Sequence, residues 1–295
     1  MDYGKLVNQS FEISWKYKSL WILGFFASVS FFTGGLENHL KDRTWPTLSD
    51  IHIAIIILAV LTMAIIALFL FIMHLISVAG LIDGVFRVER GDGYRLRQLF
   101  KTGATHFWRF LGLFFIFFLI TGSCIVFLVG GVVLAFVFLE LVGFLVLLVA
   151  IPVGLGVIFF FGNMYSLTQR EIVASKISLF DAISEAYQLL TKNLGSNILI
   201  FLITAFLGIA IFLISVLLMA AFAIPTLIIA TMSLTALIIM LFVSIPVFIG
   251  IMVVVEGLLG TFLNSLFTLF YLELRKLTPR QPLPAPGTGP VPGQS

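Results

Sequence analysis

Seven ionisable side chains lie within or beside apolar sequence, where a charge or a lone pair could do chemistry: His39, His52, His74, His106, Asp83, Glu140 and Glu256. A metal centre needs ligands at a fixed spacing, such as two histidines one helical turn apart, and the four histidines sit on different segments with no such pair. His74 falls inside an apolar run, where an imidazole could relay a proton or hold a ligand; hydrogen-bonded helix packing is the simpler role. Glu256 precedes Arg275 by 19 residues, so a continuous helix would hold the two about 28 Å apart and put Glu256 near the far interface. Glu140 stands in the turn between two apolar runs. Asp83 lies four residues before Arg87, the spacing of an intrahelical ion pair. A proton- or ion-coupled pump would carry acids mid-span, because charge in hydrocarbon is costly and is kept for a reason. These acids read instead as span-end groups. Glu37, His39 and Asp42 share one polar loop and read as solvated. The single Cys124 excludes an intrachain disulfide, and no phosphate-binding loop, dinucleotide glycine pattern or Ser/His/Asp set is present. No catalytic residue, metal or cofactor is expected.

The glycines and prolines offer a different chemistry, that of exposed backbone. Gly80 and Gly84 form a GxxxG pair suited to close helix packing. Pro152, Gly154 and Gly156 cluster in one apolar run, where they would bend a helix and bare carbonyls, as in the broken helices of transporters. Close packing is the commoner use of such glycines.

All of these residues must be positioned by membrane-embedded helices. Of the 295 residues 60% are hydrophobic and 11% charged, against about 25% charged in a typical soluble domain, and the mean hydropathy is +1.17. Several runs exceed the roughly 20 apolar residues that cross a bilayer. Six spans are expected: a short one at about 20–33, then 51–82, 110–131, 141–165, 198–221 and a last one ending at 271–276. Pro225 and Pro246 interrupt the last stretch, so 226–244 reads as a broken or outer-leaflet segment. Residues 278–295 are rich in Pro and Gly and read as a disordered tail. The first apolar run follows a long mixed-charge stretch, so it does not read as a cleavable signal peptide.

Charge orients the spans. Fifteen of the 17 Lys and Arg residues map to one side, and only Lys41 and Arg43 to the other. Cationic loops stay cytoplasmic, so both termini are expected inside, in a bacterial inner membrane. All six tyrosines map to that side, with Trp15, Trp21 and Trp108 in the same interfacial belt.

An internal repeat of about 83 residues aligns Arg87 with Arg170, Arg109 with Lys192 and Gly112 with Gly195. The fold expected is therefore an all-α polytopic membrane protein in three tandem units, about 1–91, 92–174 and 175–276. Each unit is an interfacial amphipathic helix followed by a two-span hairpin, and together they form a single membrane domain over 1–276. In the first such helix Val7, Phe11 and Trp15 form the apolar stripe. In the third the stripe is Leu179, Ile183, Tyr187, Leu190 and Leu194, and Ser178 with Asp181 resembles a capping box. The second, around Tyr94–Phe107, is weakened by Gly93 and Gly103.

The opening MDYGKLVNQSFEISWKYKSLWILGFFAS, the middle stretch NMYSLTQREIVASKISLFDAISEAYQLLTKNLGS and the ending GLLGTFLNSLFTLFYLELRK resemble a broad set of prokaryotic six-span membrane proteins. That set is similar to the membrane domain appended to some glycerophosphoryl diester phosphodiesterases and to the YciC-like proteins of unknown function. The resemblance covers most of 1–276 and rests on pattern, with no catalytic motif. It implies a membrane architecture and no active-site residue, since in that group the phosphodiesterase activity belongs to a soluble domain.

The function expected is that of a non-enzymatic integral membrane protein: a scaffold, a lipid-organising module or an accessory subunit of a larger membrane complex. A small-molecule transporter or channel is the first alternative, and a membrane component of a lipid-handling, phosphodiesterase-type system the second. Membrane lipids are the expected partners, anionic ones included, because cations exceed acids on the inner face. Nucleic acid is not. Phe11, Trp15, Trp21, Trp108 and Tyr187 are the candidate interface contacts; Pro152, Gly154, Gly156, Gly80 and Gly84 the candidate break or packing positions; His74, Glu140 and Glu256 the intramembrane polar ones.

Overall fold

The computed structural model describes residues 1–28, 50–138, 140–175, 177–230 and 234–279. Every regular element among them is helical: α1 (Tyr3–Lys16), α2 (Leu20–Ser28), α3 (Asp50–Glu89), α4 (Leu96–Phe138), α5 (Glu140–Ser175), α6 (Leu179–Lys192), α7 (Leu194–Ala230) and α8 (Leu234–Leu277). Five helices are long and apolar enough to cross a bilayer, over Val60–Glu89, Leu96–Phe138, Val142–Ser175, Leu194–Thr226 and Pro246–Leu277. This is the architecture of an integral membrane protein, in which helices satisfy their own backbone groups. The described part of the first expected span is α2, whose 9 residues reach only about 14 Å. The loop with Glu37, His39 and Asp42 and the Pro-rich stretch from 280 onward lie outside the described residues.

Capping chemistry sets the short helices. Asp2 accepts the Lys5 N–H at 3.0 Å to start α1, and Ser178 accepts the Asp181 N–H at 3.3 Å to start α6. Gly91, with φ of 77°, makes the left-handed turn that ends α3.

One expectation is corrected, and two segments are placed. The second interfacial helix does not exist as a separate element: α4 runs unbroken for 43 residues, because Gly103 lets its first turns lie directly on the Ile76 carbonyl of α3. Residues 226–230 and 234–244 are helical, within α7 and α8, and Pro225 and Pro246 stand inside those helices. Neighbouring turns can satisfy the freed carbonyl in such a setting. In α6 the buried face is Ala182, Ala186, Leu189 and Leu190, while Tyr187 and Leu194 of the expected stripe are exposed. The small alanines admit close contact, and Leu189 and Leu190 fill the space beside them.

Burial gathers at one end of the bundle. Leu75, Leu81, Ile82, Leu99, Phe110, Leu113, Leu167, Leu190, Leu266 and Phe270 are all fully or almost fully buried there, and that end also carries Arg87, Arg170 and Arg275. α2 is its central wedge. Its Leu20 and Leu23 are wholly inaccessible, and Gly24 lies so close to the α8 backbone that an added Cβ would overlap the Gly257 carbonyl and Thr261. Thr261 Oγ1 in turn donates to the Leu20 carbonyl at 3.1 Å. Away from that end Phe127, Phe138, Leu148, Phe206, Leu217 and Phe242 are all more than 70% exposed, an apolar surface of the kind that marks a membrane or protein contact.

Candidate functional site

At the packed end α5, α6 and α8 converge on an ionic cluster. Glu171, with no exposed surface, accepts from Arg275 Nε at 2.6 Å and from Arg275 Nη2, which also reaches Glu185 Oε2 at 2.8 Å. Burial and the neighbouring Glu171 bear on the Tyr271 phenol at the edge of this pair. Beside it Arg170, 1% exposed, donates through Nη1 to the Ser166 carbonyl at 2.6 Å and to Ser166 Oγ at 2.8 Å. Its Nη2 reaches the Asn264 carbonyl at 3.4 Å, and its guanidinium lies 5.3 Å from the Phe267 ring centroid. Glu171 and Glu185 offset the burial of Arg275, whereas Arg170 meets only carbonyls, a hydroxyl and a ring, and its Nε has no hydrogen-bond partner.

Arg170, Arg275 and Tyr271 thus turn inward at the packed end. α6 packs on the end of α5 and reaches α8 through the Glu185–Arg275 pair. The available signal was the adjacent pair Arg170–Glu171 closing an apolar run, with Glu185 on the next helix; spacing alone could not show that the two helices meet. By contrast Asp83 and Arg87 form the expected intrahelical pair at 2.9 Å, half-buried.

α1 lies across α8 on its buried face of Leu6, Ser10, Ile13 and Ser14, held by Trp21 Nε1 donating to the Ser14 carbonyl at 2.7 Å. It separates two grooves. One, of about 700 Å³, is apolar and is lined by Tyr3, Val7 and Phe11 of α1, Ile203, Leu207 and Ile211 of α7, and Leu258 and Phe262 of α8. The other, of about 500 Å³, is polar and is lined by Asp2, Lys5, Gln9 and Glu12 of α1, Glu89 of α3, and Glu273 and Lys276 of α8. Gln9 Nε2 donates to Glu89 at 2.6 Å, and Lys276 to Glu273 at 2.5 Å. Asn8 borders both grooves. At the neighbouring turn Ser19 and Tyr94 share a hydrogen bond of 2.8 Å. Burial raises the Tyr94 pKa above the ordinary phenol value, against that hydrogen bond, which lowers it.

The interface candidates are placed as follows. Phe11, Trp15, Trp108 and Tyr187 are 53%, 56%, 76% and 49% exposed; Phe11 and Trp15 stack with centroids 6.1 Å apart. Trp21 is half-buried. Gly80 and Gly84 are packing positions: an added Cβ would lie 2.8 Å from the Leu99 carbonyl and 3.1 Å from Leu20, respectively. Gly154 and Gly156 face open space. α5 continues through Pro152 as one helix, with Ile151, Val153 and Leu155 exposed, so no break occurs there. His106 is buried, its Nδ1 2.9 Å from the Thr102 carbonyl. Glu256 is half-buried in α8, its carbonyl accepting from Ser28 at 3.2 Å. Glu140 begins α5; its side chain, like that of His52, lies outside the described residues. No three His, Cys, Asp or Glu groups that could hold a metal come together among the described residues.

No family model, curated protein or solved structure matches this chain.

Proposed function

We propose that the protein is a non-enzymatic integral membrane protein that organises lipid at the cytoplasmic face of a bacterial inner membrane. The observation that carries this reading is the pair of grooves flanking α1, one apolar and one lined by both signs of charge. The apolar groove suits an acyl chain, since covering it with hydrocarbon removes no polar group from water. The polar groove offers two lysines to a phosphate and four carboxylates to an amine, so a zwitterionic aminophospholipid complements it better than a purely anionic lipid. The exposed Phe11 and Trp15 lie beside these grooves, on a helix suited to the headgroup layer.

In the same reading the chain crosses six times with both termini inside, α2 and the residues after it forming the first crossing. Its units are related in tandem. The membrane-domain group that the sequence resembles is compatible with this role, as is an accessory place beside a separate lipid-handling enzyme.

The test is purification in native lipid nanodiscs followed by mass spectrometry of what is retained. Enrichment of phosphatidylethanolamine over the bulk membrane, lost in the double variant Phe11→Ser/Trp15→Ser, is the expected result. A retained lipid profile equal to the bulk in both proteins would sink the proposal. A stoichiometric copurifying protein would instead make this chain an accessory subunit.

A further inference from the structure

A second cavity, away from α1, goes beyond that reading. It has a volume of about 510 Å³ and lies between α3, α4 and α5, walled by Phe114, Phe117, Phe118, Phe161 and Tyr165, with His74 on its lining. The imidazole is oriented by the backbone of α2: Nδ1 lies 3.0 Å from the Phe26 carbonyl, with the Ala27 backbone beside it. A carbonyl cannot donate, so Nδ1 carries the hydrogen, and in the neutral ring Nε2 is left with a lone pair. His74 thus brings a nitrogen acceptor to a mostly aromatic wall that also includes Thr121 and the Tyr165 phenol.

The wall itself favours a flat ring. Phe117 meets Phe161 edge-on at 6.3 Å, and Phe114 stacks on Phe118 at 5.7 Å. Faces and edges of this kind pack well against a further aromatic group. Room for it comes from Gly122 and Gly162, where an added Cβ would meet no atom within 4 Å. The rim residues Phe118, Ile125 and Ile158 are exposed, so the cavity opens sideways to where lipid lies.

We infer that this cavity binds a bilayer-dissolved phenol: an apolar molecule whose ring lies among the phenylalanines and whose ring hydroxyl donates to His74 Nε2. The ligand class follows from the acceptor, because a methyl ether or a ketone of the same shape has no hydrogen to give. A molecule of that class also reaches the rim by diffusion within the membrane.

The probe is 4-decylphenol, compared with its methyl ether, titrated by equilibrium dialysis against the full chain in phosphatidylcholine nanodiscs, with empty nanodiscs as the partition blank. Wild type is expected to bind the phenol saturably and at least about tenfold more tightly than the ether, the effect of one buried hydrogen bond left unmade. His74→Leu should erase that preference while leaving the ether unchanged. Gly122→Leu, whose Cβ would meet no atom within 4 Å, should abolish saturable binding of both at a thermal unfolding midpoint no lower than that of wild type. Uptake of both probes equal to the blank would overturn the inference. So would a phenol preference that survives in His74→Leu, or binding undiminished by Gly122→Leu.

Discussion

Glu171 and Arg275 show how a charge is tolerated where lipid surrounds the protein. Replacing Glu171 with Gln keeps the shape but leaves Arg275, only 15% exposed, with Glu185 as its remaining charged partner. Removing one member of a buried pair costs about 3–5 kcal/mol, and the retained Glu185 should hold the loss to the lower end. Asp83→Asn breaks a pair of the same chemistry whose arginine is 34% exposed, and should cost about 0.5 kcal/mol. Unfolding in mixed micelles by graded denaturing detergent would compare the two; equal losses would contradict the burial argument. Arg170 is a sharper case, since it holds two carbonyls, a hydroxyl and a ring at once. Arg170→Lys keeps the charge but cannot reproduce a planar fork, and should lower the unfolding midpoint more than Arg87→Lys does. From sequence Arg170 and Arg87 looked equivalent, aligned by the repeat and both at span ends. Only the helix that closes over one of them separates the two.

Helix contacts here are decided by where side chains are missing. Gly24 of α2 lies against Gly257 and Thr261 of α8, and a methyl group there would overlap backbone. Gly24→Ala should therefore separate α2 from α8 and lower the thermal midpoint of the detergent-solubilised protein by several degrees. Gly195→Ala, which meets nothing within 4 Å, should instead stabilise by about 0.5–1 kcal/mol through helix propensity. If both substitutions shift the midpoint alike, close approach is not what holds α2. The GxxxG pair at Gly80 and Gly84 was legible as a packing signal. Gly24 was not, because its partners lie more than 230 residues away and nothing local marks them. The same limit explains the second interfacial helix: Gly93 and Gly103 suggested a weak helix, yet Gly103 is what allows α4 to run straight along α3.

Packing of the whole molecule is polarised, dense where the cations gather and open where the apolar surface is exposed. If the dense end is cytoplasmic, reporters fused to either terminus, such as green fluorescent protein and alkaline phosphatase, should be fluorescent and phosphatase-negative respectively. A phosphatase-active fusion at either end would reverse the orientation. Composition and the lengths of the apolar runs determined by themselves that this is a helical membrane protein. Those are bulk properties: transfer of apolar area and of charge depends on residue type and hardly on neighbours. The start of α6 at Ser178 and the Asp83–Arg87 pair were equally local, set within one helical turn. Tertiary structure alone decided that Arg170, Glu171, Tyr271 and Arg275 turn inward, that α1 divides an apolar groove from a polar one, and that His74 faces an aromatic cavity. Each of those depends on which helix covers which, and such contacts join residues far apart in the chain that carry no mutual signal in a single sequence.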